Sequence, residues 1–483
     1  MKNNIKKLKQ FYTKGIQGIS THILKQFEHD NNLKKAIYQA MPILHNIKDK
    51  SLKLKNDFIQ QDVLNFYDKD TVVPYSPVSA KGPWIVDKNG SVIYDVGGYG
   101  MLGFGHCPEW ALTTLAKPHV MANIMTPNNI QLEFTELLKK KIGMNRPDKK
   151  CPYSKFAFLN SGSEGMEFAL RVNDINNEKN MKPPAFIVLK SGFHGRTTSA
   201  SLISDSTKKT YQKHMKSYDT SDSVFPVVVN NLQHLQDMFF SLKNGGYDIK
   251  AIVMEPVMGE GNPGQMLSKN FYNMARQLTK DHDANLIIDS VQAGIRTNGY
   301  LSIVDYPRFK DEEAPDMEVF SKAINAGQYP LSVIAVNDKI ANHFKTGIYG
   351  NTMTGNPKAL EIGIETLKRL TPELIDNIEY QGNQITLMLN MIHKRFPFIV
   401  EGVSGQGLLN ALHIHEKYPV VNGKDGLEYM CRKNGLNVIH GGKNALRFTP
   451  YFNITTEEIH LIENILVHTL EEFTNTYIRK KID

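Results

Sequence analysis

The sequence predicts an α/β fold built on a mostly parallel sheet with helices on both faces. Short apolar runs alternate with helical patterns through the middle of the chain. That order suits a parallel sheet, because each strand must be followed by a crossover. At 483 residues, 41% hydrophobic and 22% charged, the chain can bury a large core and should divide into more than one domain. There are no obvious repeats or low-complexity tracts. No apolar run reaches the roughly 20 residues that span a bilayer.

Taken in chain order, the elements carry distinct chemistry. Residues 158–172 pass from an apolar stretch through Asn160-Ser161-Gly162-Ser163-Glu164 into a helix. Gly162 and Ser163 would offer backbone N–H groups at the helix start, a natural phosphate cradle. The plain alternative is an ordinary helix beginning after Ser-Gly. The run Ile187-Val188-Leu189-Lys190 leads into Phe193-His194-Gly195-Arg196-Thr197. An aromatic at a strand end can stack on a flat ring, and Arg196 can grip a carboxylate with two parallel hydrogen bonds. A surface loop with a structural aromatic is the competing reading. Ala251-Ile252-Val253-Met254 ends in Glu255-Pro256, with Gly259-Glu260-Gly261 close behind. Near the C-terminus, Arg447 sits in the apolar context Ala445-Leu446-Arg447-Phe448. A buried arginine needs a partner, and Glu260 or a substrate carboxylate would serve. An edge-strand surface arginine is the alternative.

Two further segments tie these together. Leu286-Ile287-Ile288-Asp289 is an apolar strand ending in an acid, and Phe320-Ser321-Lys322 follows about thirty residues later. A lysine and an acid so placed suit pyridoxal 5′-phosphate. The lysine forms a Schiff base with the cofactor aldehyde, and the acid pairs with the pyridine nitrogen to make the ring an electron sink.

With these motifs in order, residues 70–475 resemble the class III (omega-amino-acid) aminotransferases of the fold-type I pyridoxal-phosphate enzymes, nearest to those acting on ornithine, acetylornithine and 4-aminobutyrate. Gly350-Asn351-Thr352 with Gly355-Asn356-Pro357, and Val291-Gln292 after Asp289, complete the pattern. The resemblance implies a large domain with a mostly parallel sheet and a smaller α+β domain. It divides the chain into a lysine-rich extension (1–66), the first part of the small domain (67–115), the large cofactor-binding domain (116–365) and the C-terminal small domain (366–483). It implies that Lys322 is the Schiff-base lysine and proton shuttle, that Asp289 pairs with the pyridinium and that Gln292 contacts the phenolic oxygen. Phe193 is similar to the stacking aromatic, His194 belongs to the same cofactor motif, and Gly162 and Ser163 match the phosphate turn. Thr352 matches a threonine that reaches the phosphate from a neighbouring subunit, which implies a homodimer with shared active sites.

For substrates, the resemblance assigns Arg447 to the α-carboxylate of a 2-oxo acid. It makes Glu260 the switch that masks Arg447 and Arg196 the grip on a distal carboxylate. Tyr99, seven residues before His106, stands where ornithine aminotransferases carry a tyrosine, and Tyr329-Pro330-Leu331-Ser332-Val333 points the same way. The expected reaction is transfer of an amino group from an ornithine-like omega-amino or diamino acid to a 2-oxo acid such as 2-oxoglutarate. The alternatives are an aminomutase, racemase or decarboxylase on the same fold, or a non-catalytic relative. Two departures stand out. Ser290 replaces the family's usual glutamate, removing a charge near the cofactor. Met353 and Thr354 replace an aromatic and a glycine, and Thr354 adds a Cβ where close backbone approach is expected.

Charge is uneven. Residues 1–60 hold twelve lysines and four acids, a net of +8 that equals the whole chain's. The remaining body holds 45 basic and 45 acidic residues and is neutral, which argues against nucleic-acid binding. Ile5, Leu8, Tyr12, Ile16, Ile19, Ile23 and Phe27 fall on one helical face, weakened by Gly15 and Gly18. A helix docked on the body or on the partner subunit is the favoured reading, ahead of binding to an acidic lipid surface or to another partner. A transit peptide is a third reading, since the first 27 residues lack acids, although arginine is absent. The three cysteines are scattered and odd in number, which suggests a reducing, cytoplasmic setting. No metal-ligand spacing appears.

Overall fold

The computed structural model describes residues 17–49, 60–175, 182–218 and 223–482. The chain forms two compact units. One is assembled from three separate stretches, 1–109, 380–404 and 408–483, and the other from residues 110–379 with 405–407.

The first unit begins with β1 (Pro77–Lys81), β2 (Trp84–Asp87) and β3 (Val92–Asp95), an antiparallel meander. Trp84 is fully buried there. Its ring meets Tyr94 edge-on at 5.0 Å and Phe27 at 5.4 Å, and its indole N–H donates to Asp30 Oδ2 at 2.8 Å. Burying the ring costs nothing in lost hydrogen bonding because that donor is satisfied.

The second unit carries the seven-stranded sheet: β4 (Lys155–Leu159), β5 (Pro184–Leu189), β6 (Val224–Val227), β7 (Asp248–Met254), β8 (Asn285–Asp289), β9 (Met317–Phe320) and β10 (Ser332–Val336), in the spatial order β4-β10-β9-β8-β7-β5-β6. From β9 to β6 the neighbours are all parallel, so the mostly parallel α/β expectation holds. Only β10 runs the other way, antiparallel to both β9 and β4. The reason is local. Ala326 and Gly327 both take positive φ (53° and 68°) and turn the chain back within the eleven residues between β9 and β10, whereas a parallel crossover needs a dozen or more. Helices Gly162–Asn173, Leu232–Asn244 and Lys269–Asp281 cover the sheet, and strands buried on both faces read as continuous apolar runs.

The chain then returns to the first unit. There β11 (Val400–Gln406), β12 (Leu409–Ile414), β13 (Leu436–Asn437), β14 (Ile439–Gly441) and β15 (Ala445–Phe448) precede a C-terminal helix, Thr456–Ile482. Strand β13 joins the meander as the parallel neighbour of β3, and β11-β12-β15-β14 form a second sheet.

The single helical face expected across residues 5–27 is not what the described part shows; residues 5–16 lie outside it. Gly18 takes φ +63° and donates its N–H to Lys433 O at 3.0 Å, while Ile19 N–H donates to Val92 O at 2.8 Å. A Cβ at position 18 would lie 2.9 Å from the Val92 carbonyl, so the residue must be glycine for the strand-like approach. A helix runs only over Thr21–Leu24. Ile19, Leu24 and Phe27 are nevertheless buried, so this segment docks on its own unit, partly by backbone pairing. Among the described residues no helix is long and apolar enough to cross a membrane.

Candidate active site

In the second unit, chemically capable side chains gather at the C-terminal ends of the parallel strands, where open α/β sheets bind ligands. Asp289 ends β8, Lys322 follows β9, Glu255 follows β7, and Phe193 and His194 lie just past β5. Strand β4 delivers Asn160 and the turn that opens helix Gly162–Asn173.

Asp289 is buried. Its Oδ1 accepts from Val291 N–H at 3.0 Å, and its Oδ2 lies 2.8 Å from His194 Nδ1. The carboxylate makes Nδ1 the protonated nitrogen. Burial alone would lower the His194 pKa, but the Asp289 hydrogen bond and charge, with Glu255, carry it above the ordinary histidine value. The other ring nitrogen, Nε2, is buried and makes no hydrogen bond. Glu255 is pushed up by burial and by the Asp289 charge, against the pull of His194. It accepts from Phe193 N–H (3.2 Å) and Gly259 N–H (2.9 Å). One carboxyl therefore ties the Phe193 loop to the loop carrying Glu260.

Lys322 is half-buried at φ +49°, a conformation that costs a non-glycine residue about 1 kcal/mol or more and persists only where neighbours enforce it. The enforcement is visible on either side. Ser321 Oγ and Asn325 Nδ2 both donate to Leu331 O, at 2.8 and 3.0 Å. The Lys322 amine donates to Gln292 Oε1. Gly259 presses on the Gln292 side chain so closely that a Cβ would occupy the same space.

The helix start is organised separately. Ser161 caps the helix by accepting from Glu164 N–H (3.2 Å), and Glu164 Oε2 accepts in return from Ser161 Oγ (3.1 Å) and Asn160 N–H (3.2 Å). Ser161 is thus an N-cap whose own hydroxyl is held in turn by the third helical residue. Asn351 bridges to the same turn, donating to Glu164 Oε1 (2.8 Å) and accepting from Asn160 Nδ2 (3.0 Å). The first-turn N–H groups of Gly162 and Ser163 have no intrahelical acceptor by construction and face an anion favourably. Ser163 Oγ accepts from Arg196 N–H at 3.1 Å. Arg196 is exposed, its guanidinium 5.4 Å from the Phe193 ring centre, within cation–π range. A Cβ on Gly162 would lie 2.8 Å from Val291 Cγ1. We expect Gly162→Ala to push the turn off the β8 end and to lower stability by about 1–3 kcal/mol, read as a drop in melting temperature.

Among the expected site residues, the structure brings Asp289 against His194, Lys322 against Gln292, and Arg196 against both Ser163 and Phe193. Thr352 is exposed, and its neighbour Asn351 reaches the helix turn instead. Tyr99 and Arg447 belong to the first unit. Tyr99 has φ +52° and its ring stands 6.3 Å from that of Tyr67. The loop behind it hangs on Asp95, which accepts from Gly97 N–H (2.9 Å) and Asn437 Nδ2 (2.8 Å) and pairs with His106 Nε2 (2.9 Å). Burial alone would raise the Asp95 carboxyl, yet these partners hold it below the ordinary value. Arg447 is buried on β15 opposite Ala411 of β12 and Ile439 of β14.

Both departures have structural answers. Thr354 keeps a negative φ, and its hydroxyl closes the turn, donating to Asn351 O (2.7 Å) and accepting from Asn351 N–H (3.2 Å). Ser290 donates to Glu318 Oε1 at 2.5 Å. Glu318 was missed at the sequence level, although an acid inside the apolar strand Met317-Glu318-Val319-Phe320 is a readable sign of a buried network.

These groups fit pyridoxal phosphate. The Gln292 amide nitrogen is buried beside the lysine and makes no hydrogen bond, so it is a donor awaiting an oxygen acceptor. Asp289 is a buried carboxylate held by a histidine, and the helix start offers the phosphate donors.

A family description, "Aminotransferase class-III", matches residues 66–470. The acetylornithine aminotransferase of Bifidobacterium longum is 30% identical over 78% of this chain and 86% of that protein. A Debaryomyces hansenii protein named acetylornithine aminotransferase, mitochondrial, is 25% identical over 98% of both. Among solved structures, the ornithine aminotransferase from Toxoplasma gondii ME49 superimposes with a TM-score of 0.74 at 23% identity, covering 90% of this chain and 98% of that one; this likeness concerns the fold.

Proposed function

The chain belongs to the class-III aminotransferases, which are pyridoxal-phosphate enzymes, and from that premise we propose that it moves an amino group from an ornithine-like omega-amino or diamino acid to a 2-oxo acid, 2-oxoglutarate in the first instance. The observation that carries this reading is the Lys322–Gln292 contact in the same unit as the buried Asp289–His194 pair. The bound cofactor would supply an aldehyde and an electron-withdrawing ring. Lys322 would hold it covalently and, once displaced by the donor amine, act as a base. Asp289, oriented by His194, would keep the ring nitrogen protonated. Gln292 would donate to the phenolic oxygen, Phe193 would cover one face, and Gly162 and Ser163 would hold the phosphate.

Arg447 and Glu260 are the proposed pair that lets one enzyme accept two substrates, with Glu260 masking the arginine while the omega-amino donor is bound. Arg196 would hold the donor's distal carboxylate, and Tyr99 would favour the terminal over the α-amino group. Arg447→Ala should raise the KM for the 2-oxo acid by about 100-fold, the value of a lost charge-assisted bidentate contact of about 3 kcal/mol. The donor half-reaction should change little. An unchanged second half-reaction would remove Arg447 from the clamp.

We also propose a homodimer in which Thr352 reaches the partner's phosphate. Val120 and Met125 are 80% and 81% exposed, and Met121, Ile124 and Met353 are exposed too. A Cβ on Gly355 would lie 3.4 Å from Ile124, which places part of this apolar surface beside the Thr352 turn. Apolar patches of this kind mark interfaces. Sedimentation showing a monomer at micromolar concentration would refute it. A cytoplasmic location is our reading of the scattered free thiols Cys107, Cys151 and Cys431.

The deciding experiment for the donor is a half-reaction screen. Loaded enzyme is mixed with ornithine, acetylornithine, lysine, 4-aminobutyrate or alanine while its visible absorbance is followed. Bleaching by ornithine or acetylornithine, reversed by 2-oxoglutarate, is the expected result. Bleaching by 4-aminobutyrate or alanine alone would overturn the ornithine-like assignment.

A further inference from the structure

Glu318 lies on β9, four residues before Lys322, and is fully buried. In the β8–β9 register Val319 stands opposite Asp289 and Glu318 opposite Ile288. Successive residues of a strand project to opposite faces, so Glu318 points away from the face that carries Asp289. Helix Gly162–Asn173 packs on the Asp289 face, where Gly165 lies against Val319, so Glu318 projects to the face opposite that helix.

The Glu318 carboxylate is met by four donors. Ser290 Oγ (2.5 Å) and Ile303 N–H (2.8 Å) reach Oε1, while Tyr153 OH (2.8 Å) and Ser302 Oγ reach Oε2. Ser290 opens the loop that leaves β8, and Ser302 and Ile303 close it. Gln292, the acceptor of the Lys322 amine, lies inside that loop. The loop also braces itself, with Gly294 N–H on Ser290 O (2.8 Å), Ile295 N–H on Tyr300 O (2.7 Å) and Tyr306 OH on Ala293 O (3.1 Å).

We propose that Glu318 is a positioning residue for the lysine: one buried carboxylate fastens both ends of the 290–303 loop to β9 and thereby sets where Gln292 meets Lys322. The serine at 290 is part of this device. A carboxylate there would face Glu318 across 2.5 Å of hydrogen-bonding space, which two like charges cannot share. A hydroxyl instead donates. The carboxyl group that the family usually carries after its ring aspartate is thus supplied here from the adjacent strand. Burial pushes Glu318 up to about 7, and the four donors pull against it, as a buried acid held by hydrogen bonds should show. The inference rests on the reading of Lys322 and Gln292 given above.

The test uses the loaded holoenzyme. Glu318→Val strands four donors and risks misfolding, so the informative variants are Ser290→Ala and Ser302→Ala, each removing one hydroxyl donor from Glu318 at one end of the loop, with Glu318→Gln as the conservative rescue. We expect each serine variant to lower kcat about tenfold, the usual scale for removing a group that orients a reacting one. KM for the 2-oxo acid should stay within about twofold, because no substrate contact is touched. The visible absorbance maximum should shift, since the lysine's partner has moved, and Glu318→Gln should retain most of kcat. If both serine variants lower only the melting temperature, with kcat and the absorbance maximum unchanged, Glu318 is a structural anchor and the proposal is overturned. Lys322→Ala run alongside separates the two levels: turnover surviving in that variant would sink the reading of the lysine itself, whereas a dead Lys322→Ala beside unaffected serine variants sinks only the role of Glu318.

Discussion

Lys322→Ala should abolish turnover, by about four orders of magnitude or more, the upper range for removing a positioned base that also holds its cofactor covalently. The fold should survive. The side chain is half-buried, and its loss leaves one acceptor, Gln292 Oε1, without this donor, a cost of about 1 kcal/mol. Alanine also tolerates the positive φ as well as lysine does, as Ala326 at φ +53° illustrates four residues later. The checks are kcat in a coupled assay, far-UV circular dichroism and the melting temperature. Measurable turnover in a correctly folded, cofactor-loaded variant would show that the covalent link is made elsewhere.

Asp289 offers a paired experiment that separates charge from shape. Asp289→Asn loses the charge but keeps one amide oxygen, which can accept from His194 or from Val291 N–H. Asp289→Ala loses both and strands a buried imidazole N–H. Both should lower kcat by about 1000-fold if the charge holds the ring nitrogen protonated, an effect of about 4 kcal/mol. Only the alanine variant should lose much stability, about 3 kcal/mol or more, because it leaves a buried partner uncompensated. Stability should also change its pH response. His194 is raised above its unfolded value in the native protein. Its contribution is therefore fully present below about pH 6.5 and lost as pH rises through the folded value. In Asp289→Ala that slope should flatten, as urea midpoints at pH 5.5 and 8.5 would report. Near-native kcat in Asp289→Asn would remove the charge from the mechanism.

The strand–helix alternation was legible because strands buried on both faces are apolar throughout and their ends are marked by polar residues: Asp289 after three aliphatic residues, Glu255 after Ile-Val-Met. The acid, the lysine and the glutamine could be read because pyridoxal chemistry asks for those functional groups. What could not be read depends on the third dimension. Nothing in the local sequence says that β10 reverses, that Asn351 returns to the turn at Glu164, or that Ser290 faces Glu318 across two strands. The helical face expected across residues 5–27 failed over its described part, residues 17–27, for a related reason. Its apolar spacing is real, but Gly18 is spent on a left-handed turn that lets backbone pair with backbone, and that partner lies far along the chain.

That pairing has a consequence for synthesis. Gly18 and Ile19 are held by carbonyls of residues 433 and 92, and β3 takes β13 as its neighbour. The N-terminal stretch therefore waits, unfinished, until more than four hundred further residues have left the ribosome. The sheet of residues 155–336 has no such debt and can close first, since domains form as units during translation. A nonsense mutation just before Leu436 would thus do its damage at the beginning of the protein, leaving a sound sheet attached to an N-terminal meander with an open edge and an apolar face uncovered.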